Sequence, residues 1–281
     1  MAAQREPSII QRSAAEVVGT FLLVFIGAGA GTSLGAAFKG GSSPAGLLLV
    51  ALAHGLALLV AVYAIGKISG AHVNPAVSIA LASIGKLAWV DAIYYIVSQL
   101  IGATLGALGV LLVFGRDSAL AAGVGATTFN ATLTNQFQAA GIEALGAFIL
   151  VLAIVSTAAD KRSPAGWAGL VIGFALAAAI MVAGTATGAS VNPARTFGPD
   201  IVLTIFGGKL NLLGGGTIWG EYWVYVVGPI VGGLVAAWLY RFIARPDEAE
   251  REERQTTSKP ATTPPATAKT ATASRPAARR R

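Results

Sequence analysis

Two long apolar stretches of this chain break off at almost the same seven residues, Gly70-Ala71-His72-Val73-Asn74-Pro75-Ala76 and Gly188-Ala189-Ser190-Val191-Asn192-Pro193-Ala194. The residue before a proline is pushed out of the helical region, proline suits the first helical position, and Asn is a favoured N-cap. Each break therefore predicts irregular backbone that ends in a new, short helix capped by Asn74 or Asn192. One Asn-Pro-Ala is an ordinary helix start. Two of them in matching positions, each inside apolar sequence, are the mark of paired discontinuous membrane helices and of a transport site between them.

The surrounding sequence sets the medium. Hydrophobic residues make up 54% of the 281 and charged residues 12%, more apolar surface than a water-soluble core of this length can bury. Apolar runs of about 20 residues predict an all-α membrane protein with six spans, Ala14–Ala36, Ala45–Ile65, Val90–Phe114, Ala139–Ala158, Ala165–Ala183 and Tyr222–Ile243. Two half-helices, Pro75–Ile84 and Pro193–Leu203, complete the pattern. With three spans in each half, 14–114 and 139–245, the halves have opposite orientation, which predicts an inverted repeat whose half-helices enter from opposite faces. The small residues near Gly27 to Gly31 could also be read as the cleavage region of a leader. Against that, Glu16-Val-Val-Gly19-Thr-Phe21 in the first span returns as Glu143-Ala-Leu-Gly146-Ala-Phe148 in the fourth, and a cleaved leader has no reason to mimic a later span. The pairs Gly102/Gly106 and Gly228/Gly232 read as helix contacts.

Loop charge gives the orientation. Arg5, Arg12, Lys67, Lys86, Lys161, Arg162, Arg241 and Arg245 fall on one side of alternating spans, against Lys39, Arg116 and Lys209 on the other. Both termini, residues 1–13 and 246–281, are therefore expected in the cytoplasm, with the plasma membrane as the expected location. The last segment holds eight Lys or Arg and five Asp or Glu in a Thr, Ala and Pro-rich context, and reads as a disordered basic tail. Its Arg279-Arg280-Arg281 end suits anionic membrane lipid; nucleic acid is not an expected partner. There is no cysteine, so disulfides and thiolate metal sites are excluded, and no metal or cofactor is expected.

The breaks also suggest a chemistry. A capping Asn uses its side-chain oxygen on its own helix, which leaves both amide hydrogens to donate into the space beside the cap. The carbonyls of Gly70, Ala71, His72, Gly188, Ala189 and Ser190 are tolerable at membrane depth only if they line a wet cavity, where they would form a ladder of acceptors. Two positive half-helix ends at the centre disfavour cations. Glu16 and Glu143 could couple transport to protons, or could accept the backbone N–H groups of the irregular loops; their symmetric placement favours the second.

Ser69-Gly-Ala-His-Val-Asn-Pro-Ala-Val77, Val191-Asn-Pro-Ala-Arg-Thr-Phe-Gly-Pro199, the two Glu-X-X-Gly-X-Phe openings and Gly228-Pro229 together resemble the aquaporin or major intrinsic protein family. The resemblance implies an aquaporin-like hourglass with one pore per monomer and a homotetramer. It places the family's selectivity constriction at His54, Ile180, Ala189 and Arg195. Arg195 would donate to the permeant and repel cations. His54 with Ile180 is similar to the plant vacuolar (tonoplast) subtype, whereas strict water channels typically carry a histidine at the Ile180 position. Thr196 and Asp200 replace the acidic and basic markers of glycerol facilitators; Asp200 is expected at a loop end, paired with a nearby cation.

The expected function is a passive channel for water, with ammonia, urea and hydrogen peroxide as further candidate permeants, glycerol a weaker one, and protons and ions excluded. With two histidines, no cysteine and no acid pair at hydrolase-like spacing, the chain is not expected to be an enzyme. The alternatives are an ion-coupled secondary transporter, which would need Glu16 or Glu143 as its coupling site, and a structural membrane protein with an incidental pore.

Overall fold

The computed structural model describes residues 6–38, 43–207 and 217–245. The expected tail, 246–281, and the loop cations Arg5, Lys39 and Lys209 lie outside the described residues. The described residues up to Ala244 form one compact unit. Its long helices are α1 (Ile9–Phe38), α2 (Pro44–Ser69), α4 (Trp89–Phe114), α6 (Gln136–Thr157), α7 (Ala168–Thr187) and α9 (Ile218–Ala244), and between them lie the short α3 (Pro75–Ser83), α5 (Arg116–Ala121) and α8 (Pro193–Phe206). Six are long and apolar enough to cross a membrane, and no strand occurs among the described residues.

Packing repeats as the sequence does. In the first half α1 packs on α2 and α4; in the second, α6 packs on α7 and α9. Each half-helix crosses over, α3 against α9 and α8 against α4, while α2 and α7 meet each other. Exchanging the halves maps this contact pattern onto itself, so the inverted repeat is present in the packing. Large apolar side chains such as Leu112 and Val182, 85% and 80% exposed, point outward, where a bilayer rather than water must cover them.

Helix ends differ from the hydropathy reading because caps, not apolar runs, decide them. The first helix starts at Ile9, ahead of the expected Ala14, because Ser8 and Gln11 cap each other reciprocally: the Ser8 N–H donates to Gln11 Oε1 at 2.8 Å, and the Gln11 N–H donates to Ser8 Oγ at 3.3 Å. Asn135 and Gln138 form the same box before α6, which starts at Gln136 rather than Ala139. The second half-helix runs to Phe206 instead of Leu203, continuing through Pro199. The connection 115–135 contains α5 and a one-turn helix at Gly123–Gly125.

Glycine lets paired helices touch backbone to backbone. A Cβ on Gly106 would stand 2.9 Å from the Phe21 carbonyl of α1, and one on Gly228 would stand 2.5 Å from the Ala140 carbonyl of α6. Gly141, on the same α6, has nothing within 4 Å. Gly228→Ala is therefore expected to cost about 1–3 kcal/mol through overpacking. Gly141→Ala is expected to be neutral or to gain up to about 1 kcal/mol from helix propensity. Thermal unfolding of the two variants in lipid nanodiscs checks the contrast.

The α6–α7 connection is tied down outside the spans. Asp160 accepts from Arg162 Nη2 at 2.5 Å, from the Arg162 N–H at 3.0 Å and from the Tyr240 hydroxyl of α9 at 2.7 Å, and the Ser163 hydroxyl donates to the Ser156 carbonyl. The Arg162 guanidinium holds the Asp160 carboxyl well below the usual carboxylate range. A carboxyl depressed below its unfolded value of about 3.9 contributes stability above that pH and loses it on further acidification. Asp160→Asn should thus melt earlier than the parent by a constant interval from about pH 8 to 5, narrowing only below about pH 4; thermal unfolding across this range measures it.

Candidate functional site

Both irregular segments begin where a long helix ends on glycine. Gly70 closes α2 at φ 89° and Gly188 closes α7 at φ 75°, the left-handed conformation that glycine adopts without a steric cost. The residues after each glycine are under greater strain. Ala71, Val73, Ala189 and Val191 have φ of 50°, 45°, 45° and 46°, in a region that side-chain-bearing residues avoid, β-branched ones most of all. Two buried carboxylates hold them there. Glu16 accepts from the N–H groups of His72 and Val73 at 2.9 and 2.7 Å, from the Ser69 hydroxyl at 2.7 Å and from Gln99 Nε2 at 2.7 Å. Glu143 accepts from the N–H groups of Ser190 and Val191 at 3.0 and 2.6 Å and from the Thr187 hydroxyl at 2.6 Å. Tyr95 and Tyr225 complete the frames, donating to the Ser69 and Thr187 carbonyls.

These frames bring the two breaks together. Asn74 Oδ1 accepts from the Ala76 N–H at 2.9 Å, and Asn192 Oδ1 accepts from the N–H groups of Ala194 and Arg195 at 3.0 and 3.2 Å. Pro75 and Pro193 open their helices, and Ala76 and Ala194 are fully buried behind the caps. The amides then cross between halves: Asn74 Nδ2 donates to the Val191 carbonyl and Asn192 Nδ2 to the Val73 carbonyl, both at 2.9 Å. This corrects the expectation that both amide hydrogens of each Asn stay free. One is spent joining the halves, and one from each remains.

A narrow cavity runs past the remaining donors. Its wall carries Gly70, Ala71, His72, Asn74, Asn192 and Arg195 together with apolar residues such as Leu58, Ile154 and Leu176. About 40 Å³ of it is open to the centres of water molecules, room for a short file at about 10–15 Å³ each. The carbonyls of Gly70, Ala71, His72, Gly188, Ala189 and Ser190 accept no hydrogen bond from described residues. Gly70, Ala71, His72 and Ser190 line this cavity, and Gly188 lines the neighbouring chamber.

Beyond the Asn pair the passage meets Arg195, 5% exposed, at the third position of α8. Its Nε donates to His54 Nε2 at 3.2 Å and its Nη1 to the Gly125 carbonyl at 2.7 Å. Since Arg195 can only donate, His54 Nε2 must accept, so the ring hydrogen sits on Nδ1 and goes to the Val50 carbonyl at 2.9 Å. Arg195 keeps three of the five N–H groups of a guanidinium for the passage. Ile180 borders the wider chamber of about 450 Å³ on the far side, together with Arg195. The structure thus joins His54 to Arg195 and puts Ile180 in one chamber with Arg195, while Ala189, as buried as Ile180, follows Gly188 in the second irregular loop.

Several contacts escaped the sequence reading. Gly125 lies in a connection with no motif, and only the fold carries it to Arg195. Thr127, Thr196 and Ser190 form a hydroxyl chain, at 2.8 and 2.6 Å, that ends on the Asn192 carbonyl at 2.9 Å and fixes the same connection to α8. Tyr95 and Tyr225 stand 21 and 33 residues after their capping asparagines, so spacing did not announce the pair. Asp200 is the opposite case: it lies inside α8, 2% exposed, with no ion pair and no partner for Oδ1 among the described residues. It is neither at a loop end nor paired with a described cation, since α8 runs past it.

Comparison with known proteins agrees with this geometry. The family model described as Major intrinsic protein matches residues 3–240. A probable aquaporin, AqpM, of Archaeoglobus fulgidus is 42% identical over 251 residues, 85% of this chain and 98% of the relative. The probable aquaporin TIP3-2 of Arabidopsis thaliana is 39% identical over 258 residues, covering 89% and 90%. The structure of the aquaglyceroporin from Plasmodium falciparum superposes with a TM-score of 0.72 at 26% identity, covering 86% of this chain and all of that one. The chain therefore belongs to the major intrinsic protein family and is a multi-pass membrane channel, not an enzyme.

Proposed function

We propose that the channel conducts water passively, together with small neutral solutes such as ammonia, urea or hydrogen peroxide, and excludes protons and ions. The observation that carries this reading is the opposed Asn pair, whose one remaining amide hydrogen apiece faces a cavity walled mostly by apolar side chains, with His54, His72, Ser190 and Arg195 as its other polar ones. A water molecule there can accept from the pair and donate along the loops, so its orientation is set by the wall. A cation meets two positive half-helix ends and Arg195 instead. The chain is taken to act as a homotetramer in the plasma membrane, with both termini in the cytoplasm as the loop charges imply.

Ion-coupled transport is the weaker reading. Glu16 and Glu143, the acids it would use, already accept four and three hydrogen bonds from the framework, so releasing either for a coupling ion would unmake the loops that shape the passage. Glycerol is disfavoured by Thr196, whose hydroxyl is engaged with Thr127 and Ser190.

Purified protein in liposomes under an osmotic gradient is expected to shrink its vesicles faster than empty ones, with no dependence on a proton gradient; equal rates would sink the channel reading. In the same vesicles, Ile180→His is expected to lower urea and ammonia uptake more than water flux, because a bulkier polar ring enters the chamber beside Arg195. Unchanged solute uptake would remove Ile180 as the determinant.

A further inference from the structure

A second hollow lies away from the passage, where α3 ends and α4 begins. The turn between them and Arg241 of α9 border an open space of about 640 Å³. Small residues make the room: Ala82, Ser83 and Ala88 line it, and a Cβ on Gly85 would have no described atom within 4 Å. Two cations edge it, Lys86 on the turn and Arg241 on α9. Arg241 is held in place, since its Nη1 donates to the Ile84 carbonyl at 3.2 Å and its guanidinium lies 5.5 Å from the centre of the Trp238 ring.

Its surroundings belong to the edge of a bilayer. Trp89 lines the hollow and Trp238 carries Arg241, both more than half exposed, as tryptophans at a membrane–water boundary are. Next to Trp89, α4 presents Val90, Ile93, Val97 and Ile101, each half or more exposed and spaced by three and four residues, so that they share one face. From Val90 to Ile101 this ridge is about 16 Å long at about 1.5 Å per residue, close to one leaflet of a hydrocarbon core of about 30 Å. A cationic hollow at the head of an apolar ridge of leaflet depth has the shape of a phospholipid. Charge decides which kind. Asp91, the acid in the first turn of α4, is engaged by Arg12 at 2.8 Å, so it does not offset the two cations. A zwitterionic head would bring its own ammonium towards Lys86 and Arg241, whereas an anionic head brings only its phosphate.

We propose that this hollow holds one anionic phospholipid per chain, with the phosphate against Lys86 and Arg241 and an acyl chain along the α4 ridge. The site is separate from the passage and independent of what permeates. It lies at the end of the molecule that carries the start of α1, which Arg12 joins to the start of α4. That is the side on which loop charge places the cytoplasm, and anionic lipid is concentrated in the cytoplasmic leaflet. Arg241 already ties α9 to the turn after α3; a phosphate shared by Arg241 and Lys86 adds a second tie behind the first half-helix, so the lipid should also stabilise the fold.

Native mass spectrometry of the full-length protein, released from detergent containing equal amounts of phosphatidylglycerol and phosphatidylcholine with the same acyl chains, tests it. The expected result is one retained phosphatidylglycerol per chain, preferred about thirtyfold, the worth of two juxtamembrane cations. Lys86→Gln, on an exposed side chain, should lower that preference about fivefold, and Lys86→Arg should keep it. Lys67→Gln removes the same charge from the last turn of α2, outside the hollow, and should leave it unchanged. In nanodiscs the parent should melt higher when phosphatidylglycerol replaces phosphatidylcholine, and Lys86→Gln should show a smaller rise. No preference for phosphatidylglycerol overturns the inference. Equal losses in Lys67→Gln and Lys86→Gln also overturn it, because a diffuse field would then hold the lipid, and so does displacement of the lipid by added inorganic phosphate, which would make the hollow a site for the free ion. None of these readouts uses flux, so a protein that binds as expected and conducts no water refutes the channel reading alone.

Discussion

A carboxylate placed in an apolar span is costly unless its lone pairs are filled, and here that cost is turned to holding a backbone shape that would not hold itself. Ala71, Val73, Ala189 and Val191 sit in left-handed conformations, each unfavourable by about 1–2 kcal/mol. Hydrogen bonds to a charged acceptor are worth about 1.5–3 kcal/mol each, and Glu16 takes one from each N–H of His72 and Val73, as Glu143 does from Ser190 and Val191, the last two residues of each strained stretch. One such bond outweighs one strained residue. Remove a carboxylate and the loop has no reason to stay irregular, its carbonyls no reason to face the passage, and the cap it delivers no fixed position.

Everything nearer the centre depends on that anchoring. Because the loops are held, the Val73 and Val191 carbonyls are in reach of the opposite Asn, and the two amides join the halves. The join halves the number of free donors at the centre, but it also fixes their direction, since an amide with one hydrogen tied cannot turn the other away. A donor that cannot turn orients each molecule passing it, and that is what a passage needs to discriminate without binding tightly.

The sequence made the scaffold legible because the scaffold is repeated. Two Asn-Pro-Ala breaks, two Glu-X-X-Gly-X-Phe openings and six apolar runs determine spans, half-helices and inverted symmetry without any tertiary information. Helix ends were less legible, since hydropathy reports where lipid begins and the Ser8/Gln11 and Asn135/Gln138 boxes report where hydrogen bonding begins. At the site, the caps, Glu16, Glu143 and Arg195 could be placed by spacing. What could not be read was who spends whose hydrogen: the crossing of the Asn amides, the engagement of His54 with Arg195, and the supply of the Gly125 carbonyl from a connection without a motif. Those depend on distances between residues far apart in the chain, and no local pattern encodes them.

The repeat is closely kept where it bears load and broken where it meets the permeant. Glutamate, tyrosine, glycine and asparagine recur in both halves, but Gln99, four residues after Tyr95, has Pro229 as its counterpart after Tyr225, and His72 has Ser190. A proline cannot donate, so Glu143 has no counterpart of the Gln99 bond. Symmetric frames with asymmetric linings are what an inverted repeat allows: stability needs both halves to close in the same way, whereas selectivity needs only one residue at each depth of a shared passage. Variation in the lining is therefore cheap for the fold as long as the two carboxylates keep their loops.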